Sequence, residues 1–184
     1  MELTIVDKKE ISTARLDLRP SEDKRDLDRY LSHLKEEDCF LYQYGMHYSE
    51  ELEEAISFDF GDVIYYSIFL KDTDAMVGYV GILPFEDKEK SGELEFHIFK
   101  EFRRNGYGFE AATAIMESFF TGELTGEVMN KITASMIHGN EACQNLLEKL
   151  GLEKVVSGLH VYHEHGEEKV VGVCAYEKVN TVAD

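Results

Sequence analysis

The segment that most constrains the fold of this chain is a six-residue turn, Arg103-Arg104-Asn105-Gly106-Tyr107-Gly108, which we call the glycine turn. It follows a strand-like segment, residues 93–99, and precedes a helix-like segment, residues 109–120. Two glycines between a strand and a helix let backbone N–H groups surround an anion, and the helix N-terminus adds the positive end of its dipole. Paired arginines can add charge-assisted hydrogen bonds. The glycine turn is therefore interpreted as a phosphate-binding segment.

Length and composition predict one globular domain over residues 1–184, with residues 1–10 as a flexible or edge segment. Residues 1–10 lack the apolar core of a signal peptide, and no apolar run reaches membrane-spanning length. Cys39, Cys143 and Cys174 are widely spaced, which favours neither a disulfide framework nor a zinc site. We expect a reduced, cytoplasmic protein without a metal ion or a membrane partner, either a monomer or a homodimer.

The charge balance bears on the partner. The chain has 37 Asp and Glu residues against 19 Lys and Arg residues, for a net charge of -18. Nucleic-acid binding requires a basic surface, so a nucleic-acid partner is not expected. An acidic surface attracts cationic substrates over a distance. Solubility alone is the other explanation of this charge, and composition does not separate the two.

Hydrophobic periodicity predicts the element order β-α-α-β-β-β-α-β-α-β-β, an α/β (α+β) pattern with a mixed sheet. It predicts strands at residues 13–19, 63–70, 75–83, 93–99, 132–137, 155–163 and 169–178. It predicts four helices, two beginning near Ser21 and Ser49 and two covering residues 109–120 and 140–150. This order differs from the regular alternation of a doubly wound nucleotide-binding fold.

The strand before the glycine turn has an unusual pattern. Glu93, Glu95 and His97 alternate with three apolar residues, so the polar side chains share one face. A solvated strand face is one interpretation. Three successive polar residues on an interior strand are more typical of a face that lines a cleft, and we favour that interpretation.

Further along the chain, the glycine turn is followed by Asn140-Glu141-Ala142-Cys143 and by Glu148-Lys149-Leu150-Gly151-Leu152. In this order the segments resemble the GNAT superfamily of acyl-CoA N-acyltransferases, whose signature is Q/R-x-x-G-x-G/A. The segment at residues 13–20 is similar to the opening of the branch that acetylates N-termini of ribosomal proteins, which also contains antibiotic- and polyamine-directed members. The resemblance implies a mostly antiparallel seven-stranded mixed sheet flanked by about four helices.

The resemblance also implies that the anion is the pyrophosphate of acetyl-CoA, bound by the glycine turn. Arg103 takes the first motif position, and backbone N–H groups of Arg104, Asn105, Gly106, Tyr107 and Gly108 would bind the phosphate oxygens. Backbone groups near His97, Ile98 and Phe99 would pair with the pantetheine arm like an added strand. Asn140 would contact the pantetheine. The plainer alternatives are an ordinary loop for the glycine turn and a helix N-cap for Asn140.

The activity implied is acetyl transfer to a primary amine by direct attack in a ternary complex. An alkylammonium has a pKa of about 10, so a base must remove its proton before attack. The resemblance makes Glu93 the first candidate base, because it aligns with an acidic position of this strand in the similar branch, and Glu95 on the same face is the second. Two carboxylates this close raise one another's pKa, which moves one of them towards the useful range. His97 shares their face as either a titrating or a structural residue.

The candidate general acid departs from the family pattern. Cys143 stands where members of this branch often have Ser, in the first turn of a helix whose dipole is expected to lower the thiol pKa. A thiol of that kind can protonate the departing thiolate. Cys143 is alternatively a packing residue, with protonation by solvent.

Carboxylates and tyrosines within residues 36–54 suit a cationic acceptor: a polyamine, an aminoglycoside or a peptide N-terminus. Two rival functions remain. One is a catalytically idle acyl-CoA-binding or regulatory module. The other is a nucleotide-binding protein, although the chain lacks the Lys-Ser/Thr of a P-loop and the third glycine of a dinucleotide fingerprint.

Overall fold

A computed structural model describes residues 9–21, 28–29, 32, 64–85, 87–164 and 167–181. The two helices predicted between residues 21 and 57 lie outside the described residues, except for helical residues 28, 29 and 32. The acidic and aromatic segment at residues 36–54 also lies outside them.

Besides helical residues 28, 29 and 32, the described residues form eight strands and two α-helices. The strands are β1 (Ile11–Ser12), β2 (Leu16–Pro20), β3 (Ile64–Leu70), β4 (Met76–Pro84), β5 (Ser91–Ile98), β6 (Lys131–Ile137), β7 (Glu153–Glu164) and β8 (Glu167–Val179). The helices are α1 (Tyr107–Phe120) and α2 (Glu141–Lys149), and a short 3-10 helix, Lys100–Phe102, follows β5. No described helix is long and apolar enough to cross a membrane.

The strands form one mixed sheet in the order β1-β2-β3-β4-β5-β6-β8-β7. The α/β class and the mixed, mostly antiparallel sheet are confirmed, but the predicted count of seven strands is wrong. The predicted strand at residues 13–19 is broken by a turn, in which the Thr13 N–H donates to the Leu16 carbonyl (2.9 Å) and the Leu16 N–H donates to the Thr13 hydroxyl (3.0 Å). The turn lets β1 fold back on β2, with Ile11 opposite Leu18.

One pair of neighbouring strands is parallel, β5 and β6, and it separates early. The two strands pair only over Ser91–Glu93 and Lys131–Thr133, although β5 continues to Ile98 and β6 to Ile137. The ladder between them therefore ends at Glu93 and Thr133. Beyond this point the middle of the sheet opens into a cleft.

The alternation predicted for β5 is confirmed by the packing. Leu94 is 4% exposed within the core, and Phe96 and Ile98 pack against it. The same core contains Ile115 and Phe119 of α1. Glu93, Glu95 and His97 are half-buried and alternate with these apolar residues, so they lie on the opposite face of the strand.

Candidate active site

A cavity of about 670 Å³ lies where β5 and β6 separate, bounded by the starts of α1 and α2. It brings together the three candidate catalytic residues, Glu93, Glu95 and Cys143. It is also lined by most of the candidate cofactor residues: His97, Ile98, Arg103, Arg104, Gly106, Tyr107, Gly108 and Asn140. Phe99 and Asn105 do not line it. Residues that are far apart in the sequence thus meet in one cleft.

The glycine turn has the backbone geometry of a helix start that can bind an anion. Gly106 is the N-cap of α1 with φ +81°, a left-handed conformation that favours glycine. The Glu110 N–H donates to the Gly106 carbonyl (3.1 Å) and closes the first turn of the helix. Backbone N–H groups before Glu110 therefore have no acceptor within α1. They point with the positive end of the helix dipole towards the cleft.

Gly108 makes the closest approach of the turn to its neighbours. A Cβ atom placed on it would lie 3.3 Å from Ile98 Cγ1 and 3.4 Å from Leu146 Cδ2. The contact with Ile98 is tighter than ordinary van der Waals contact, the contact with Leu146 is at its short limit, and both neighbours line the cavity. A larger side chain at this position has to extend into the cleft.

Three other candidate cofactor residues have structural contacts of their own. The Arg103 Nε donates to the Ile98 carbonyl (2.8 Å) and ties the turn to the end of β5. The Asn105 side-chain amide donates to the carbonyls of Phe102 and Arg103, both at 3.1 Å. Phe99 is 1% exposed, and its N–H donates to a carbonyl of β4. Asn105 and Phe99 thus shape the turn, and their contact with a cofactor stays a prediction.

Sequence reasoning missed the residue that fastens this turn to the N-terminal part of the sheet. Arg15 donates through Nε to Glu110 Oε2 (2.7 Å) and through Nη1 to the Asn105 carbonyl (3.0 Å). Its guanidinium also lies 4.8 Å from the centre of the Tyr107 ring. The Thr13 hydroxyl donates to Glu110 Oε1 (2.6 Å). Since Arg15 and Glu110 are 95 positions apart, no local pattern identifies the pair.

The Glu110 contacts predict a pH-dependent contribution to stability. Burial opposes ionisation, but hydrogen bonds from Thr13 and Arg15 outweigh it and hold the pKa of Glu110 below its usual 4.5. A lowered pKa stabilises the fold above the unfolded value, and this stabilisation is lost as pH falls through the folded value. We expect Glu110→Gln to lower the free energy of unfolding by about 1–2 kcal/mol at pH 7. Urea denaturation at pH 7 and at lower pH measures the difference.

The difference between Glu110→Gln and the unmodified chain should shrink once the pH falls below 4.5. Glu117→Gln is the matched control, because Glu117 is an exposed glutamate of the same helix. Equal losses for Glu110→Gln at pH 7 and at low pH would contradict the expectation.

The two carboxylates on β5 have different surroundings. Glu93 is opposite Leu83 of β4 and Thr133 of β6, and it is the last β5 residue paired with β6 before the strands separate. Glu95 is opposite Gly81, and its Oε2 accepts a hydrogen bond from the Tyr65 hydroxyl. The ring of His97 lies 5.9 Å from the ring of Phe99. The three polar residues line the cleft, and so do the apolar residues between them, because the cavity follows the part of β5 that is not paired with β6.

The prediction for the Cys143 thiol is wrong in its direction. Cys143 does lie in the first turn of α2, where its N–H donates to Asn140 Oδ1 (3.1 Å), and this confirms Asn140 as the N-cap. Burial raises the pKa of Cys143 to about 11, so desolvation outweighs the helix dipole. Cys143 therefore carries its proton at neutral pH.

Among the residues the structure describes, no group of three or more His, Cys, Asp or Glu side chains is placed to hold a metal ion. The groups that converge on the cleft are instead backbone N–H donors, two arginines, two carboxylates and a protonated thiol. The N–H donors and arginines are suited to the phosphates of a ligand, and the carboxylates are suited to a cationic amine.

Comparisons with known proteins agree with this arrangement. A family model described as an acetyltransferase (GNAT) domain matches residues 15–153. The uncharacterised N-acetyltransferase YoaA of Bacillus subtilis is 28% identical over 152 residues, covering 78% of this chain and 82% of that protein. A GNAT-family acetyltransferase structure from Bacillus anthracis has a TM-score of 0.72 at 19% identity, covering 93% of this chain and 98% of the other.

A further structure that shares the fold is RimL, a ribosomal L7/L12 alpha-N-protein acetyltransferase solved in complex with coenzyme A. Its TM-score is 0.70 at 14% identity, covering 93% of this chain and 98% of the other. In that complex coenzyme A is disulfide-bonded to a cysteine.

Proposed function

The chain belongs to the acetyltransferase (GNAT) domain family and is an acetyltransferase, and from this premise we propose that it transfers the acetyl group of acetyl-CoA directly to a primary amine in a ternary complex. The observation that carries the proposal is the single cleft that contains both the glycine turn and the β5 carboxylates. The glycine turn can bind the phosphates of the cofactor, and a carboxylate of β5 in the same cavity can take up the proton of the amine.

The residues present fit acetyl-CoA. Unpaired N–H groups at the start of α1, with the helix dipole and Arg104, are suited to the pyrophosphate. The separation of β5 from β6 beyond Glu93 leaves room for the pantetheine arm beside His97 and Ile98. The Asn140 side-chain oxygen already accepts from the Cys143 N–H, so its NH₂ group is the part left for the pantetheine. The RimL complex supports coenzyme A as a ligand of this fold.

Glu93 is the proposed general base. A neutral amine is the nucleophile, and the ammonium form has a pKa of about 10, so its proton must be taken up inside the cleft. Glu93 lies at the point where the strands separate, and the Glu95 carboxylate is engaged by Tyr65. This difference favours Glu93 over Glu95 as the proton acceptor.

Cys143 is proposed as a packing residue of the cleft. Its pKa of about 11 compares with about 8.5 for an ordinary thiol, so proton transfer from Cys143 to the departing thiolate would be uphill. Solvent therefore becomes the proposed proton source. Of the two roles that the sequence left open, burial favours packing.

The proposed acceptor is a cationic primary amine. Peptide N-termini are supported by the name of the RimL neighbour, and the net charge of -18 fits polyamines and aminoglycosides equally well. The cytoplasmic location, the single domain and the monomer or homodimer state remain predictions.

An acetyl-CoA consumption screen over polyamines, aminoglycosides, amino acids and peptides with free N-termini tests the proposal. Titration calorimetry with acetyl-CoA, ATP and NAD should accompany it. We expect acetyl-CoA to bind and at least one amine class to be acetylated. Binding of acetyl-CoA with no turnover on any class would favour the idle module, and preferential binding of ATP or NAD would favour the nucleotide-binding protein.

The position of the cofactor thiol can be tested separately. Cys143 lines the cleft but burial keeps its thiol protonated, so coenzyme A disulfide should form a mixed disulfide with it slowly, and faster as the pH rises, and not with Cys174, which is 2% exposed. Intact-mass spectrometry of the unmodified chain and of Cys143→Ala would detect the adduct. Peptide mapping would assign any adduct that persists in Cys143→Ala to Cys39 or Cys174, and an unmodified Cys143 at raised pH would argue against the proposed orientation.

A further inference from the structure

Three residues on neighbouring strands form a row across the sheet beside the cleft. Tyr65 of β3 is opposite Gly81 of β4, and Gly81 is opposite Glu95 of β5. Side chains of directly opposed residues project from the same face. The Tyr65 hydroxyl donates to Glu95 Oε2 across the intervening strand. A tyrosine two strands away therefore reaches a carboxylate of the candidate active site.

Gly81 makes this reach possible. A Cβ atom on Gly81 would lie 2.6 Å from Tyr65 Cδ1 and 3.0 Å from its Cε1, so the ring crosses directly over the glycine. Gly81 is not among the described glycines with positive φ. Other residues could therefore adopt its backbone conformation. Glycine is needed here because any side chain would collide with the Tyr65 ring.

We propose that Tyr65 is a positioning residue, which passes over Gly81 and holds the Glu95 carboxylate as the binding group for the ammonium of the acceptor. The inference rests on the proposed function, because it assigns roles within the same cleft. Glu95 binds the arriving cation and Glu93, next to it on the same face, accepts the proton. Tyr65 itself touches neither substrate.

The assignment follows from hydrogen-bond chemistry. A phenol that donates to a carboxylate stabilises its ionised form and fixes its orientation. An ionised, oriented carboxylate is a good partner for an ammonium and a poorer proton acceptor. The hydrogen bond from Tyr65 thus favours Glu95 as the group that binds the ammonium and leaves Glu93 as the group that accepts the proton.

Tyr65→Phe tests the inference, with Tyr66→Phe as its matched control. Tyr66 is the next residue along β3, is fully buried on the other face, and its hydroxyl has no hydrogen-bond partner among the described residues. Steady-state kinetics should use the best amine from the screen. We expect Tyr65→Phe to raise KM for the amine roughly 10-fold and to change kcat less than about threefold, because a hydrogen bond to a charged group is lost. Tyr66→Phe should leave both constants unchanged.

Glu95→Gln should raise the same KM, and adding Tyr65→Phe to Glu95→Gln should have little further effect. Gly81→Ala should reproduce Tyr65→Phe where thermal unfolding shows that the variant folds, since the added Cβ displaces the ring. It also approaches the Ile64 carbonyl at 2.8 Å, which makes Tyr65→Phe the primary variant. Equal KM values for Tyr65→Phe and Tyr66→Phe would overturn the inference.

A stability measurement separates failure of the inference from failure of the proposed function. Melting temperatures of Tyr65→Phe, Glu95→Gln and the double variant report on the contact without any substrate. Non-additive shifts support the Tyr65–Glu95 contact, and additive shifts overturn it. If the chain acetylates no amine but the shifts are non-additive, the proposed function and the role of Glu95 in binding the amine are both refuted. The contact between Tyr65 and Glu95 is then still supported.

Discussion

Glu93→Gln is expected to lower kcat by about 100-fold or more and to leave the affinity for acetyl-CoA unchanged. Glutamine keeps the size and hydrogen-bonding atoms of the side chain but cannot take up the ammonium proton. Glu93 lies at the end of the β5–β6 ladder, within the cleft and apart from the glycine turn in sequence, so the anion site should be unaffected. Stopped or continuous thiol-release assays measure kcat, and calorimetry measures the acetyl-CoA Kd.

Glu153→Gln is a suitable control, because Glu153 is an exposed glutamate at the start of β7 and does not line the cleft. It should behave as the unmodified chain does in both assays. If Glu93→Gln kept kcat within about threefold of the unmodified chain, Glu93 would not be the general base. Loss of a general base typically lowers the rate by about 100-fold or more, so the two outcomes are easily distinguished. Turnover that is absent both before and after the change would match the idle module.

The parts of the site that depend on local sequence were predictable. The glycine turn was identified because glycine spacing and the strand-to-helix order are local features, and Gly106 does cap α1. The alternation of β5 was identified because side-chain period two is fixed by strand geometry, and Leu94 is buried as expected. The turn at Thr13 was missed, because its side chain competes for backbone groups that the alternation assigned to a strand.

The parts that depend on packing were not predictable. The pKa of Cys143 is set by how much apolar surface surrounds the thiol, and sequence position reports only the helix dipole. Arg15 meets Glu110 across 95 positions. Tyr65 reaches Glu95 only because β4 presents a glycine between them, which requires the register of three strands. Each of these features is set by tertiary packing or by a contact between residues far apart in the sequence.

Gly108→Leu is expected to raise the acetyl-CoA Kd by about 100-fold or more. The Cβ position of Gly108 is already 3.3 Å from Ile98 Cγ1 and 3.4 Å from Leu146 Cδ2, so the remaining leucine atoms must occupy the cleft. They would stand in front of the N–H groups at the start of α1, where several charge-assisted hydrogen bonds to phosphate are lost together. Titration calorimetry with acetyl-CoA, and with coenzyme A alone, measures the loss.

Thermal unfolding of Gly108→Leu separates lost binding from lost folding. Leucine has a higher helix propensity than glycine, by up to about 1 kcal/mol, and this offsets the tighter contacts in α1. We therefore expect a cooperative melting transition near that of the unmodified chain. Gly158→Leu supplies the control, because Gly158 lies on exposed β7 and a Cβ there would meet only Val173 Cγ2 at 4.0 Å. A threefold difference in the acetyl-CoA Kd is too small to reflect lost phosphate contacts. If the Kd values of Gly108→Leu and Gly158→Leu agreed within about threefold, the glycine turn would not be the cofactor site.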